Sequence, residues 1–238
     1  MMIPTELGYD TFTTVARCPD TGRLGIAMAT RAPAVGNRCP VIKPGFGACS
    51  VQSISDPRLT IMAGRLMALN YSPKKVIAEI ESSDAFIALR QIAVVDVYGN
   101  AAAYTGAENH AYAGHIVGDG WVSMGNAVVS EKVVASMAES METTKGEPLE
   151  ERLMRSIEAG GRAGGQPTGQ QSSSILMYGH EEFALLDLRV DLHSEPIGEL
   201  RRILNWFRPY IPYFAERPYN PRIPREDLWL EAQKKRGA

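Results

Sequence analysis

The sequence predicts an α+β fold, a four-layer α-β-β-α sandwich of two stacked, mainly antiparallel sheets. Strand signals fall in three clusters along the 238 residues, and a pair of helical segments separates each cluster from the next. Strands that cluster in sequence pair mainly in antiparallel sheets, and helix pairs between the clusters supply one helical layer for each sheet. No internal repeat or linker divides this pattern. The same order of elements also fits an ordinary two-layer α+β fold, which stays open as the alternative.

The first strand cluster begins with a predicted hairpin. Residues 11–17 and 24–30 are rich in small, β-branched and apolar residues, and the intervening CPDTGR supplies Pro, Asp and Gly in turn order. Such compositions are typical of strands and of tight turns. A third strand is expected at 47–53, after the Pro- and Gly-rich stretch APAVGNRCPVIKPGFG.

The helices and the later strands are predicted from similar signals. Because proline favours the first turn of a helix, Asp56-Pro57 and Ser72-Pro73 indicate helix starts, and Ser130 is a good N-cap residue. The predicted helices span 58–70, 73–81, 131–142, 148–160 and 195–207. The later strands are predicted at 91–97, 101–105, 120–129, 173–179 and 183–191.

Three parts of the chain differ in character. Residues 1–10 are interpreted as an N-terminal extension or propeptide, 11–207 as the folded domain, and 208–238 as a Pro- and aromatic-rich C-terminal tail. The tail holds too many aromatic residues for a solvated segment. We therefore expect it to pack on a neighbouring subunit or to clamp its own domain, and the first option favours a homo-oligomer, a dimer or larger.

Composition argues against several classes of partner. A formal net charge of −2 gives nucleic acid little electrostatic reason to bind. No run approaches 18 apolar residues and the N-terminus lacks a secretory signal, so no membrane association is expected. The three cysteines are an odd number without CxxC spacing, which favours a reducing compartment, the cytoplasm.

Motifs for metals and nucleotides are also missing from the sequence. The four histidines show neither HExxH nor a helical i, i+4 pairing, so no metal site is expected. The stretch GGRAGGQPTG lacks the GK[ST] ending of a phosphate-binding loop and precedes a strand, so it is interpreted as a mobile loop over a pocket. No cofactor is implied.

The predicted hairpin places two residues beside Thr11. If its centre lies near residues 20–21, paired residue numbers sum to about 41, as antiparallel pairing requires. Thr11 then faces Thr30, and Arg31 lies one residue beyond. An arginine there could lower the pKa of a nearby amine or hold a substrate carboxylate or carbonyl. The alternative is a surface arginine at a strand end.

Thr11 suits one kind of nucleophilic chemistry. A threonine hydroxyl needs a base, and an N-terminal threonine can use its own α-amine, whose pKa near 7.7–8.0 allows it to be neutral at working pH. This requires the removal of residues 1–10. The Asp10–Thr11 bond is a plausible site for self-cleavage through an N-to-O acyl shift by the threonine.

Several stretches, in the same order, resemble a known family. They are TFTTVARCPDTGRLGIAMATRAPAVG, GFGACSVQSISDPR, RQIAVVDVYGNAAAYTG, AGHIVGDGWVSMGN, GGQPTGQQSSSIL and VDLHSEPIGELRRIL. Over residues 11–204 the chain resembles the bacterial and archaeal group catalogued as DUF1028, which is assigned to the N-terminal nucleophile (Ntn) hydrolase superfamily. The resemblance implies the same α-β-β-α sandwich and hydrolysis of a C–N bond in a small molecule by an N-terminal threonine.

The chain departs from the family pattern at its start. The family begins with Thr-Phe-Ser-Ile, often directly after the initiator Met, whereas ten residues precede Thr11 here. Asp10-Thr11 resembles the acid-threonine junction at which asparaginase-type relatives cleave themselves. Smaller departures, which bear on substrate choice, are Asp56, Asn109, Tyr112 and Met124.

Further site residues are proposed around Thr11. The resemblance implies backbone amides near Ser53, Ser55 and Asp56 as donors to the oxyanion, and a helix N-terminus there favours an anionic oxygen. Asn126 could add a side-chain donor, or it could be a turn asparagine. The candidate substrate contacts are Gln52, Thr105, Gly106, His115 and Gln171. Each of them could instead have a purely structural role.

Two other functions stay open. The fold could serve as a non-catalytic small-ligand-binding or oligomeric scaffold protein that keeps residues 1–10. Hydrolysis could also use Thr11 or another hydroxyl without a free amine, with help from His115.

Overall fold

The computed structural model of the protein describes residues 10–236, so the predicted extension lies outside the described residues except for Asp10. The strands are β1 (Thr11–Arg17), β2 (Leu24–Thr30), β3 (Pro40–Lys43), β4 (Gly47–Ser53), β5 (Arg90–Asp96), β6 (Ala101–Thr105), β7 (Gly114–Gly118), β8 (Trp121–Asn126), β9 (Ser172–Tyr178) and β10 (Ala184–Val190). The helices are α1 (Pro57–Ala68), α2 (Pro73–Ser83), α3 (Glu131–Thr143), α4 (Leu149–Arg162), α5 (Pro196–Phe207), α6 (Ile211–Glu216) and α7 (Glu226–Arg236).

The strands form two antiparallel sheets, and the predicted four-layer sandwich is confirmed. One sheet has the order β10-β9-β2-β1-β8-β7 and the other has the order β3-β4-β5-β6. Helices α1 and α2 pack on the four-stranded sheet, while α3, α4 and α5 pack on the six-stranded sheet. Strand β1 therefore lies inside the larger sheet, between β2 and β8.

Three apolar clusters separate the four layers. The cluster between the six-stranded sheet and its helices includes Phe12, Met137, Leu153 and Leu200. The cluster between the two sheets includes Val15, Met28, Val95 and Met124. The cluster under α1 and α2 includes Val51, Leu59, Ile80 and Val94. Because side chains alternate along a strand, β1 sends Phe12 to the helices and Val15 to the other sheet.

The hairpin register is confirmed residue by residue. Thr11 pairs with Thr30, and Arg17 at the other end of β1 pairs with Leu24. On its other side β1 pairs with β8, where Thr11 faces Asn126. The hairpin thus fixes Thr11 at the end of a central strand with both neighbours in place.

The strand predictions missed two short strands. Strand β3 lies inside the stretch interpreted as a Pro- and Gly-rich connection, and β7 lies inside AGHIVGDG. Both are edge strands of their sheets and contain only four or five residues. Their pairing comes from tertiary contact with β4 and β8, which local sequence does not encode.

Helices α1 and α2 begin at the predicted prolines, Pro57 and Pro73. The Asp56 side chain accepts a hydrogen bond from the Arg58 backbone N–H at 2.9 Å, so it caps α1. Ser130 occupies the N-cap position of α3, but its side chain makes no capping hydrogen bond. No helix within residues 10–236 combines the length and apolar character needed to cross a bilayer.

The C-terminal tail clamps its own domain. Ile211 joins the cluster under α5, and Tyr213 is fully buried. The Tyr213 ring makes edge contacts with Phe214 and Trp229, which joins α6 to α7. The tail forms helices α6 and α7 despite its prolines. Pro212 is compatible with α6 because it lies in the first turn, where its missing N–H costs nothing.

The clamp predicts a strong dependence of stability on Tyr213. Tyr213→Ala removes a fully buried aromatic side chain and should lower the free energy of unfolding by about 3–5 kcal/mol, measured by urea denaturation. Tyr219 in the same tail is 64% exposed, so Tyr219→Ala should change it by no more than about 0.5 kcal/mol. Equal effects of the two substitutions would contradict a structural role for the tail.

Candidate active site

Thr11 occupies a buried position at the start of β1. It is 3% exposed and lies between Thr30 on β2 and Asn126 on β8. Its side chain lies on the side of the sheet that faces β4, because it lines a small cavity together with Ser53 and Ser55. The space open to the centre of a water molecule is about 10 Å³, room for about one water.

The hydroxyl groups of Thr11 and Thr30 form a directed chain that ends at the Asp10 carbonyl. Thr11 Oγ1 lies 3.0 Å from Thr30 Oγ1, and Thr30 Oγ1 donates to the carbonyl oxygen of Asp10. A carbonyl only accepts and a hydroxyl has one proton, so Thr11 must donate to Thr30. The Arg31 backbone N–H gives the same carbonyl a second hydrogen bond at 3.3 Å.

Gln52 connects Thr11 to the other sheet. Its side-chain nitrogen donates to the Thr11 carbonyl at 3.2 Å and to Gln91 Oε1 at 2.8 Å. Its oxygen accepts from the hydroxyl of Thr13. Gln52 is fully buried, and protein groups use both of its N–H hydrogens. Its role as a substrate contact stays a prediction, and in this state it joins the sheets.

Gln91 is the residue that sequence reasoning missed. Its oxygen accepts from Gln52 and from Asn126 Nδ2, the latter at 3.0 Å. Its nitrogen donates to the Gly125 carbonyl at 2.9 Å and to Thr105 Oγ1 at 3.0 Å. A glutamine at the buried start of the apolar strand QIAVVDV is the sequence signal that marks it.

Thr105 and His115 extend this network toward the surface. Thr105 Oγ1 lies 2.8 Å from His115 Nδ1. Partial burial of the ring lowers the pKa of His115 from its usual value near 6.5. Gly106 has a packing requirement instead, because a Cβ atom there would lie 2.2 Å from the Ala88 carbonyl oxygen.

The predicted oxyanion segment lies where β4 meets α1. Ser53 has φ of 73°, a left-handed conformation that turns the chain sharply after the strand. The backbone N–H groups of residues 54–56 donate no hydrogen bond to another described residue. The Asp56 side chain is held by Arg58, with Nη2 at 2.7 Å from Oδ2, and it does not line the cavity beside Thr11.

Asp10 and Arg31 meet the loop after α4. Arg31 Nη1 donates to the Thr168 carbonyl at 2.7 Å, and Thr168 Oγ1 donates to Asp10 Oδ2 at 3.3 Å. Burial raises the pKa of Asp10, against opposing effects of the Thr168 hydrogen bond, His110 and Arg31. Gln171 contacts β2 through its backbone N–H, which donates to the Thr30 carbonyl at 2.8 Å.

The structure thus brings together part of the predicted set. Thr11, Asn126, Gln52, Ser53 and Ser55 lie at one end of the space between the sheets, and Thr105 and His115 join them through Gln91. Arg31 and Gln171 touch the site through backbone groups. Asp56 caps α1, and Gly106 allows close packing against the Ala88 carbonyl. Within the described part of the chain, no group of three or more His, Cys, Asp or Glu side chains could hold a metal ion.

Fold and site together define an α-β-β-α sandwich protein with a buried threonine at the start of a central strand and a polar network behind it. A model described as "Family of unknown function (DUF1028)" matches residues 11–200. The chain belongs to this family. No curated protein matches the sequence.

The solved structures that are similar to this chain include the following two. The crystal structure of protein SPO2555 from Silicibacter pomeroyi, of the same family model, has a TM-score of 0.77 and 26% identity, covering 83% of this chain and 89% of that one. Anbu (ancestral beta-subunit) from Yersinia bercovieri has a TM-score of 0.42 and 12% identity, covering 86% and 96%. The first likeness supports the fold, and the second is too weak to carry an argument.

The network predicts that Gln91 stabilises the fold. Gln91→Leu removes the one side-chain partner of Asn126 among the described residues, and it removes one partner each from the Gln52 amide and the Gly125 carbonyl. The free energy of unfolding should therefore fall by about 3–5 kcal/mol in urea denaturation. Gln52→Leu with Gln91→Leu should cost less than the sum of the single changes. Gln171→Leu is the control, since the Gln171 side chain makes no hydrogen bond to another described residue. Additive single and double effects would show that the two amides act independently.

The position of His115 predicts a pH effect. Its pKa is lowered in the folded protein, so the unfolded chain takes up a proton first as pH falls below about 6.5, and the free energy of unfolding should then decrease. An NMR titration of the His115 ring should give a lower pKa in the folded protein than in concentrated urea. A folded value at or above the value in urea would contradict this description of the site.

Proposed function

We propose that this protein is an Ntn-type amidohydrolase that cleaves a C–N, amide-like bond of a small molecule, with Thr11 as N-terminal nucleophile after self-cleavage of the Asp10–Thr11 bond. The observation that carries the proposal is the environment of that bond. Its carbonyl oxygen accepts from the Thr30 hydroxyl and the Arg31 N–H, while the Thr11 hydroxyl donates to Thr30.

This environment suits an N-to-O acyl shift. Thr11 Oγ1 attacks the Asp10 carbonyl carbon and passes its proton to Thr30 Oγ1, which gives its own proton to the developing oxyanion. The Arg31 N–H stabilises the same oxygen. The C–N bond then breaks as the proton on that oxygen passes to the Thr11 nitrogen, and an ester joins Asp10 to Thr11 Oγ1. Water hydrolyses this ester and leaves a free threonine amine.

Cleavage would also make room for a substrate. In the intact chain Thr11 is 3% exposed, and the adjoining cavity holds about one water molecule. Asp10 is itself buried and is held through its carbonyl and its carboxyl group. Departure of Asp10 therefore supplies both the base, the Thr11 amine, and the space beside the nucleophile.

The residues around Thr11 have distinct roles in the proposed hydrolysis. The free amine takes the proton of Thr11 Oγ1, which attacks the substrate carbonyl carbon. The amine then gives this proton to the substrate nitrogen as the C–N bond breaks, and the ester that remains, the acyl-enzyme, is hydrolysed by water to release the acid. The free N–H groups of residues 54–56 receive the oxyanion. Asn126 Oδ1 is buried without a partner among the described residues, so it can accept a hydrogen bond from the new amine. Arg31 orients the amine or binds substrate.

Self-cleavage is tested by intact mass and N-terminal sequencing of the purified protein over time. We expect loss of residues 1–10 and a new sequence beginning Thr-Phe-Thr. Thr11→Ala should abolish cleavage, and Thr30→Val should slow it by about 10²-fold because one oxyanion donor is lost. Thr30→Ser keeps the hydroxyl and should retain most of the rate. Thr21→Ala, in the exposed hairpin turn, is the matched control and should cleave like the wild type.

Hydrolysis is tested next with the matured protein and a panel of small amides. Activity that depends on Thr11 supports the proposal, and an amidase activity unchanged by Thr11→Ala would contradict it. An intact chain that never matures favours the alternative function, small-ligand binding without turnover. The observation that favours this alternative is the peptide bond between Asp10 and the Thr11 nitrogen, because it leaves Thr11 without a free amine. Ligand binding unaffected by Thr11→Val, with no product formed, would identify that alternative.

A further inference from the structure

A second pocket lies at the end of the sandwich opposite Thr11. Strand β1 runs from Thr11 to Arg17, so the two ends are about 20 Å apart at the rise of a strand. The pocket has a volume of about 360 Å³ and lies among the turns after β1, β5 and β7 and the connection from α3 to α4. Its charged lining residues are Arg17, Asp20, Asp119, Lys145 and Arg152.

Arg152 is the most unusual of these residues. It is 4% exposed, and its one side-chain hydrogen bond in the described part of the chain goes to the Met141 carbonyl at 2.9 Å. Its Nε is buried and has no partner among residues 10–236. Burial lowers the pKa of Arg152, against the effects of Cys18, Glu142 and Asp20. The carboxylates near Arg152 lie beyond ion-pair distance, so its charge is compensated only at longer range, and a close anionic partner would stabilise it.

Arg17 lines the same pocket and is similar to Arg152 in its hydrogen bonding. It is the last residue of β1, and its Nε is also buried without a partner in the described residues. Neither arginine takes part in an ion pair within residues 10–236, although Asp20 and Asp119 line the same pocket. Lys145 is a third cation there, but Glu142 holds its ammonium at 2.6 Å. Both arginines line the pocket, and apart from the Arg152 Nη2 bond to Met141 their Nη groups make no hydrogen bond to another described residue.

We propose that this pocket binds a small molecule through an oxyanion, a phosphate or a carboxylate, held by Arg17 and Arg152. The guanidinium fork matches both anions because it offers parallel N–H donors to two oxygens. Asp20 and Asp119 select ligands that also carry hydroxyl or ammonium donors. The site is separate from Thr11 and does not depend on the proposed hydrolase function.

The test is an NMR titration of the 26.0 kDa protein at constant ionic strength, with inorganic phosphate in one series and acetate in another. Saturable shifts of the Tyr98, Gly99 and Gly146 amides are expected with at least one anion, and chloride alone should give none. The anion with the lower Kd identifies the class of oxyanion.

Variants make the assignment specific. Arg17→Gln should weaken binding at least tenfold, whereas Arg23→Gln removes an arginine of the same hairpin turn that does not line the pocket and should leave Kd unchanged. Arg152→Lys keeps the charge without the fork and should also weaken binding. Thermal unfolding first shows which variants fold. If Arg152→Lys does not fold, the test relies on Arg17→Gln. Absence of saturable shifts, or equal binding by Arg17→Gln, would overturn the proposal.

Discussion

The geometry of the candidate site depends on one buried contact, the hydrogen bond of 2.8 Å between the side-chain amides of Gln52 and Gln91. Gln52 reaches from β4 to the Thr11 carbonyl on β1, and Gln91 reaches from β5 to Gly125 on β8. The pair thus fixes the two sheets against each other where apolar packing stops. A one-residue slip of β1 would turn Phe12 toward these amides, so the contact also fixes the register that places Thr11.

Local signals were sufficient for the hairpin and for most of the elements. The turn sequence CPDTGR sets its own centre, so the pairing of Thr11 with Thr30 followed from counting residues. Helix α1 starts at Pro57 with Asp56 as its cap because both preferences act within one turn. The order of these elements favoured the four-layer arrangement, since each helix pair has one sheet to cover, but it did not by itself exclude a two-layer fold.

Contacts between distant parts of the chain were beyond such reasoning. Gln91 looks like one polar residue in an apolar strand, and only the stacking of the sheets brings it to Gln52, 39 residues earlier. The short edge strands β3 and β7 gain their pairing from β4 and β8. Likewise, nothing in the sequence distinguishes Arg17 and Arg152 from other arginines. Only the structure shows that their Nε atoms are buried without a hydrogen-bond partner among the described residues.

The proposed self-cleavage and the proposed hydrolysis are chemically one reaction performed twice. Each passes through an ester on Thr11 Oγ1, first with the Asp10 acyl group and then with a substrate acyl group. The intact chain already holds the first acyl carbonyl with the Thr30 hydroxyl and the Arg31 N–H. An acyl group seated beside Thr11 is therefore part of the fold before any substrate arrives. In the proposed self-cleavage, the acyl group that Thr11 receives ends in Asp10, which lies in a buried position beside Thr11.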